Sequence, residues 1–387
     1  MEIPFAQCEY GQNEIDAVNR VLKTNWLASG KENEEFEHEF ANYIGSKYAV
    51  CVNSGSSANL VALSSLGLPK GSMVLTSACG FPATLSPIIH LGLIPVLVDY
   101  DLSTGNINVE QVLEELPNVQ AVIFAHTMGV PVDMMRIINC AKELGIPVIE
   151  DCCEAVGAKY HNKQVGSFGD LATFSFYPAH QITALGGGGM VTTNNGELEC
   201  RMKSMRDWGK RWDWQDRLGD WHTDFTTEVD GIKYYRGYTY DHLGWNFKLP
   251  EANAAFGREQ LRRLDVFVER RNLNFQYLRM IFQGEEGIVP IEIPESCEPS
   301  YFGFPITLAE GLDRNSLAYF FEEHRIRTRP FFAGNITRHA PFKKYKDNFP
   351  VADYIMKQSL FVGVWQGLEK EHFDYILEVY KKWLESQ

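Results

Sequence analysis

The sequence predicts an α/β protein with a large, mostly parallel-sheet domain followed by a small α+β C-terminal domain. Three observations carry that expectation. Short apolar runs rich in Val and Ile alternate with helical patterns through the first two-thirds of the chain. A long amphipathic run, EANAAFGREQLRRLDVFVERRNLNFQYLRMIF, follows Pro250. Strand-like FGFPITL and helix-like NSLAYFFEEH then lie beyond it. Alternating strands and helices favour a parallel sheet covered on both faces.

Taken in order, Glu34–Tyr43 has helical spacing and Tyr48–Val52 reads as a buried strand. Ser54-Gly55-Ser56-Ser57 then opens an apolar helix over Ala58–Leu66. Further strands are predicted at Met73–Thr76, Ile94–Val98, Ala121–Ala125, Val148–Glu150, Ala172–Phe176 and Met190–Thr192. Helices are predicted at Val109–Glu115 and Met135–Leu144. Between 205 and 242 the texture changes to dense aromatics and charge with little period, the mark of a long functional loop or insertion. The predicted division is a large domain, 1–249, containing the insertion 205–242, and a small domain, 250–387.

Composition narrows the function classes. The 387 residues carry 36 basic and 50 acidic side chains, a net charge of −14, so no global positive field exists to collect nucleic-acid phosphates. The opening MEIPFAQCEYGQNEID lacks a basic segment followed by an apolar run, and nowhere do 18 apolar residues run together. A cytoplasmic protein without a membrane span is expected. The eight cysteines (Cys8, Cys51, Cys79, Cys140, Cys152, Cys153, Cys200, Cys297) are scattered without a C-x-x-C pair. Buried reduced thiols are expected, with neither a disulfide framework nor a metal site.

Four stretches fall where strands of such a sheet end, and there the loops form a ligand crevice. In Asn53-Ser54-Gly55-Ser56-Ser57 the small residues suit a phosphate at a helix N-terminus, and equally an ordinary Ser/Gly cap. In Glu150-Asp151-Cys152-Cys153-Glu154 the carboxylates at a buried strand end require compensation. A protonated pyridine nitrogen would serve, as would a salt bridge or a helix cap. Phe174–His180 is followed by Gln181-Ile182-Thr183 and a glycine run, Gly186 to Gly189, which permits close backbone approach. Gly244-Trp245-Asn246-Phe247-Lys248 precedes the long amphipathic run.

Together these stretches carry a resemblance. WLASGKENEEFE, VNSGSSANL, CGFPATLSPI, HTMGVPVDM, VIEDCCEAVGA, GSFGDLATFSFYPAH, MRDWG and HLGWNFKLPEANAA resemble, in order, the DegT/DnrJ/EryC1/StrS family of sugar aminotransferases and dehydratases. That family implies the PLP-dependent transferase fold type I, aspartate aminotransferase-like. Its strand-end lysine, which holds pyridoxal phosphate as a Schiff base, follows the pattern S-F-x-x-x, and here that position is His180. SFYPAH is similar to a subgroup, the nucleotide-linked 4-keto-6-deoxysugar 3-dehydratases, in which histidine is the base. One branch of the subgroup holds a [2Fe–2S] cluster on cysteines after R-D-W-G and works with a reductase. Here no cysteine follows Trp208 until Cys297. A cluster needs four thiolates, so cluster-free chemistry is expected. The loop ALGGGG after His180 departs from the family's shorter G-E-G-G.

The resemblance implies a role for each matched residue. Asp151 pairs with the cofactor's pyridinium nitrogen, Phe81 stacks on its ring, and Glu154 lies near its hydroxyl. Gly55, Ser56, Ser57 and Ser175 hold the phosphate, and Asn246 reaches in from a second subunit of a homodimer with shared active sites. Phe81 has a competing role as a core aromatic. The cofactor is pyridoxamine or pyridoxal 5′-phosphate held noncovalently, with glutamate as amino donor. The implied reaction removes the C3 hydroxyl of a nucleotide-diphospho sugar, with His180 as acid and base, and gives a 3,6-dideoxy-4-keto sugar. Arg329, Asn335 and Arg338 are candidates for the substrate's diphosphate or sugar. For each arginine a solvated face is the competing account. A nucleotide-sugar 4-aminotransferase, relying on Lys248 or Lys210, and a noncatalytic binding protein of the same fold are the alternatives.

Overall fold

The computed structural model describes residues 1–212 and 227–387; the part of the aromatic insertion between 213 and 226 lies outside the described residues. Seven strands form the central sheet: β1 Tyr48–Val52, β2 Met73–Ser77, β3 Ile94–Val98, β4 Ala121–Ala125, β5 Val148–Asp151, β6 Leu171–Ser175 and β7 Gly189–Thr193. Their order across the sheet is β1-β7-β6-β5-β4-β2-β3. The β6–β5–β4–β2–β3 pairings are all parallel, whereas β7 is antiparallel to both β1 and β6. The exception has a local cause. Residues 176–188, which join β6 to β7, contain no helix, and without a crossover helix the chain turns back beside the strand it has left.

Side chains alternate across the sheet as pleating requires. On one face Cys51, Phe124 and Phe174 pack with Phe36 and Phe40 of the helix Lys31–Ile44 and with Ile137 of the helix Met134–Leu144. On the other, Val50, Val52, Ile123 and Val191 pack with Ala58, Val61 and Ala62 of the helix Gly55–Ser65. Burying the apolar side of each strand is what fixes register, since a one-residue slip would turn each core side chain to the wrong face.

The second unit has an antiparallel sheet of Ile288–Val289, Gly303–Leu308, Ser359–Gly363 and Thr328–Pro330 in that order. It is covered by Arg314–Glu323 and Lys370–Leu384, with Phe321, Tyr380 and Trp383 in its core. A cut at 249/250 does not separate the two cores. The helix Glu251–Phe282 gives Leu261, Leu264 and Phe267 to the large core and Phe275, Leu278 and Phe282 to the small one. Ile3, at the other end of the chain, packs in the small core and pairs with Ile326. Ile336 and Phe342 return to the large core.

Glu251 explains why LPEANAA and WLASGKENEEFE occur together. Its buried carboxylate accepts from the backbone N–H groups of Gly30, Glu32 and Asn33 at 2.7, 2.8 and 3.1 Å. It therefore caps the helix Lys31–Ile44 from more than 200 residues away, satisfying donors that a helix start leaves open. In the insertion, Thr227–Val229 and Ile232–Tyr234 form a hairpin. Its Asp230-Gly231 turn has both φ values positive, 52° and 78°, the backbone a two-residue hairpin turn favours. Among the described residues no helix is long and apolar enough to cross a membrane.

Candidate active site

The carboxyl ends of β1, β2, β4, β5 and β6 open on one edge of the sheet, and most of the predicted residues lie in the loops there. The Asn53–Ser57 loop is built by its own hydroxyls. Ser54 Oγ accepts from the Ser57 N–H at 3.1 Å, and Ser57 Oγ donates to Asn53 Oδ1 at 2.7 Å. Gly55 begins the helix, and Ser56 is exposed in its first turn. A Cβ on Gly55 would lie 2.7 Å from Ser175 Cβ and 2.9 Å from Cys153 Sγ. Only glycine brings this helix start against the ends of β5 and β6. Gly189 serves the same loop, since a Cβ there would meet the Ser54 carbonyl at 2.5 Å. The loop can therefore be both a helix cap and an anion cradle.

The two adjacent carboxylates have different fates. Glu150 is wholly buried and accepts from His126 Nε2 at 3.2 Å and from the N–H groups of Gly166, Phe168 and Gly169 at 2.7–2.8 Å. Burial pushes its pKa up, but His126 and these donors together hold it below the usual range. His126 Nδ1 accepts from the Val132 N–H, so Nε2 carries the proton given to Glu150. His126, Glu150 and Cys152 lie close enough to suggest a metal site, but both histidine nitrogens are already committed.

Asp151 is buried, and its Oδ2 accepts from Asn59 Nδ2 at 2.8 Å and Thr84 Oγ1 at 2.7 Å. Asn59 is held in turn by Thr173 Oγ1 at 2.5 Å. Asp151 Oδ1 accepts the Cys153 N–H, at 3.2 Å. Among the described residues no Lys, Arg or His forms an ion pair with it. A buried carboxylate in that condition suits a cationic ligand atom. Glu154 accepts from the Met128 N–H at 3.0 Å. Burial, with the charge of Asp151 adding to it, raises its pKa well above the usual range against that single bond.

His180 lies in the turn after β6, its N–H bonded to the Tyr177 carbonyl at 2.9 Å. Its ring lies 5.1 Å from the Phe302 ring and 6.5 Å from that of Tyr177. The residue keeps some exposed surface, but Nδ1 is buried without a hydrogen-bond partner. Burial, with the Arg271 guanidinium adding to it, pulls the imidazole pKa down to about 3. The ring is therefore neutral near pH 7. Gln181 fixes the turn, donating from Nε2 to the carbonyls of Glu154 and Ser300 at 2.5 and 2.8 Å.

Phe81 is not a core aromatic. It caps the helix Pro82–His90 with its side chain 57% exposed at the mouth of the crevice. Asn246 is exposed too, in a segment whose Phe247 carbonyl bonds the Asn53 N–H at 2.8 Å.

The three substrate candidates diverge. Asn335 is fully buried, with its amide divided between Asp353 and Thr337. This corrects its assignment as a substrate contact, because both ends of the amide are occupied and none of its surface is free. Arg338 is paired to both oxygens of Asp353. Arg329 is exposed, its guanidinium 5.2 Å from the Phe5 ring centre. Lys248 is engaged by Asp207 at 2.9 Å and by the Trp208 ring at 3.7 Å.

Asn59, Thr84, Thr173 and Arg271 escaped the sequence reading. Only Asn59 left a signal there, as the one amide in an otherwise apolar helical run.

This sheet, with its crevice at the strand ends and the small domain beside it, is an aminotransferase-like α/β fold. The chain belongs to the DegT/DnrJ/EryC1/StrS aminotransferase family, which matches residues 9–381. It is 39% identical over 398 residues to the lipopolysaccharide biosynthesis protein RfbH of Salmonella typhimurium, covering 96% of this chain and 89% of that protein. It is 38% identical over 372 residues to dTDP-4-dehydro-2,6-dideoxy-D-glucose 3-dehydratase of Saccharopolyspora spinosa, covering 91% and 80%. It is also similar to the crystal structure of a GDP-4-keto-6-deoxymannose-3-dehydratase with a trapped PLP-glutamate geminal diamine. There the TM-score is 0.88 and the identity 29%, over 98% of this chain and 100% of that one.

Proposed function

We propose that this protein is a 3-dehydratase of a nucleotide-linked 4-keto-6-deoxysugar, using noncovalently held pyridoxamine phosphate and glutamate as the amino donor that regenerates it. The single observation that carries this reading is His180. It stands where the family's lysine would be, with a neutral ring and an unpartnered nitrogen beside the end of β6. Relatives named as 3-dehydratases support it.

The residues fit the cofactor. Asp151 has no cationic partner among the described residues, Gly55 lets the helix start close against Ser175 at the ends of β5 and β6, and Phe81 presents an uncovered ring. Asp151 would hold the pyridinium proton. The helix start at Gly55–Ser57, with Ser175, would hold the phosphate. Glu154, whose carboxyl burial shifts toward the protonated form, can donate a hydrogen bond to the ring hydroxyl. When bound, the cofactor supplies an amine for the C4 ketone and an electron-withdrawing ring. His180 takes a proton on its imidazole. With its pKa depressed it gives the proton up readily, here to the departing C3 oxygen. Arg329 and Arg338 are proposed to meet the diphosphate. Arg338 must first loosen from Asp353. Reaction without an iron–sulfur cluster is proposed because the sequence has no cysteine between Cys200 and Cys297.

The test is incubation with pyridoxal phosphate, glutamate and a panel of nucleotide 4-keto-6-deoxysugars, followed by mass analysis. Loss of the C3 oxygen with the C4 ketone retained is expected. A 4-amino sugar as sole product would overturn the reading in favour of a transaminase.

A further inference from the structure

Arg271, on the long helix, is the largest buried cation outside the sites described above, and 1% of it is exposed. No carboxylate pairs with it among the described residues. Its N–H groups go instead to neutral oxygens: the His180 carbonyl at 3.0 Å, the Tyr301 and Phe302 carbonyls at 3.4 Å, and Gln366 Oε1 at 3.3 Å. A buried guanidinium without a counter-ion is costly, and packing alone would be met by Met or Leu. Two of its acceptors belong to the residues whose rings face each other, His180 and Phe302.

We propose that Arg271 is a positioning residue for the base. It binds the carbonyls of His180 and Phe302 from behind and so fixes the imidazole against the Phe302 ring at the end of β6. This rests on His180 being the base. A planar fork of donors can bridge several carbonyls at set angles, whereas an ammonium cannot.

The same charge acts on the ring's titration. Among the described residues, Tyr177 on its own turn and Arg271 on the long helix meet His180 itself; the Glu154 carbonyl, held by Gln181, and the Cys8 thiol, on the Pro178 carbonyl, touch its chain neighbours. Of these, Arg271 alone is a cation, and with burial it disfavours the imidazolium. A proton taken by His180 therefore leaves readily.

The experiment compares wild type with Arg271→Met and Arg271→Lys, reading the pH profile of kcat and the titration of ¹³C-labelled histidine, with His180 assigned by its loss in His180→Asn. In wild type the His180 ring is expected to stay neutral to pH 5. In Arg271→Met its titration and the acidic limb of kcat should both move up by about one pH unit. Arg271→Lys, which keeps the charge without the fork, should hold the limb in place and lower kcat about tenfold or more. A wild-type ring titrating near 6.5, or a folded Arg271→Met with unshifted titration, would overturn the proposal. If Arg271→Met fails to fold, the wild-type and Arg271→Lys titrations still decide. The histidine titration needs no turnover, so absence of dehydration by the wild type would overturn the functional reading alone.

Discussion

Glu150 and Asp151 are neighbours in the chain, yet their partners make them different chemical groups. Three backbone N–H groups and His126 Nε2 satisfy Glu150, and it braces the 166–169 turn. Asp151 is held by the neutral side chains of Asn59 and Thr84, with no cationic partner among the described residues. Asp151→Asn is therefore expected to weaken pyridoxamine phosphate binding by about 2–4 kcal/mol. Thr84→Val, which removes one orienting bond, should weaken it by about 1 kcal/mol. Both are measurable by titration calorimetry. Unchanged affinity in a folded Asp151→Asn would remove that residue from the cofactor site. His180 makes a prediction for stability. Its pKa falls from 6.5 to about 3 on folding, so its contribution is complete above pH 6.5 and is lost as the pH falls toward 3. The loss amounts to about 2 kcal/mol by pH 5. Denaturant melts of His180→Asn should show a correspondingly shallower decline between pH 7 and pH 5. Parallel curves for the two proteins would mean that the ring charges freely in the folded state.

At the scale of elements, close backbone approach governs the site. β7 enters beside the Asn53–Ser57 loop through Gly189, and the test is a matched pair of substitutions. Gly189→Ala forces a Cβ to 2.5 Å from the Ser54 carbonyl, while Gly187→Ala meets Asn53 O at an ordinary 3.6 Å. The first should cost about 1–3 kcal/mol and impair cofactor binding; the second should be close to neutral. Equal effects on Tm and affinity would show that the loop gives way. The same geometry explains which parts of the fold were legible. Each predicted strand of the sheet is present to within a residue or two, because buried apolar runs and their bounding turns are local signals. The direction of β7 was not legible, since it depends on a connection lacking a helix. Helices such as Gln12–Thr24 and Lys370–Leu384 went unread, although their apolar spacing was there to find. Of the site, Asp151 and Gly55 stood out as residue types at strand ends, and His180 stood out against the family pattern. Their supports come from Thr84, Thr173, Phe302 and Arg271 on separate elements, and contacts between distant segments leave no local period to read.

At the scale of the molecule, the crevice of a single chain is open. Phe81, Tyr177 and Leu243 are 57%, 61% and 94% exposed, and Asn246 is exposed in a segment bonded to the Asn53–Ser57 loop. Large apolar side chains around a polar crevice mark a surface that associates. A two-fold dimer would present the same patch twice. We expect a homodimer in which Asn246 completes the partner's phosphate site, and complementation can separate this from an intrachain role. His180→Asn and Asn246→Ala would each be prepared as inactive proteins, then unfolded, mixed in equal amounts and refolded. If the two residues serve opposite sites, each mixed dimer has one site with both substitutions and one with neither. Activity should then return to about a quarter of wild type, because about half of the dimers are mixed and one site in each is intact. If both residues serve the site of their own chain, every site in the mixture carries a defect and activity does not return. Light scattering on the mixture shows whether dimers formed, so a silent mixture of dimers would assign Asn246 to its own chain.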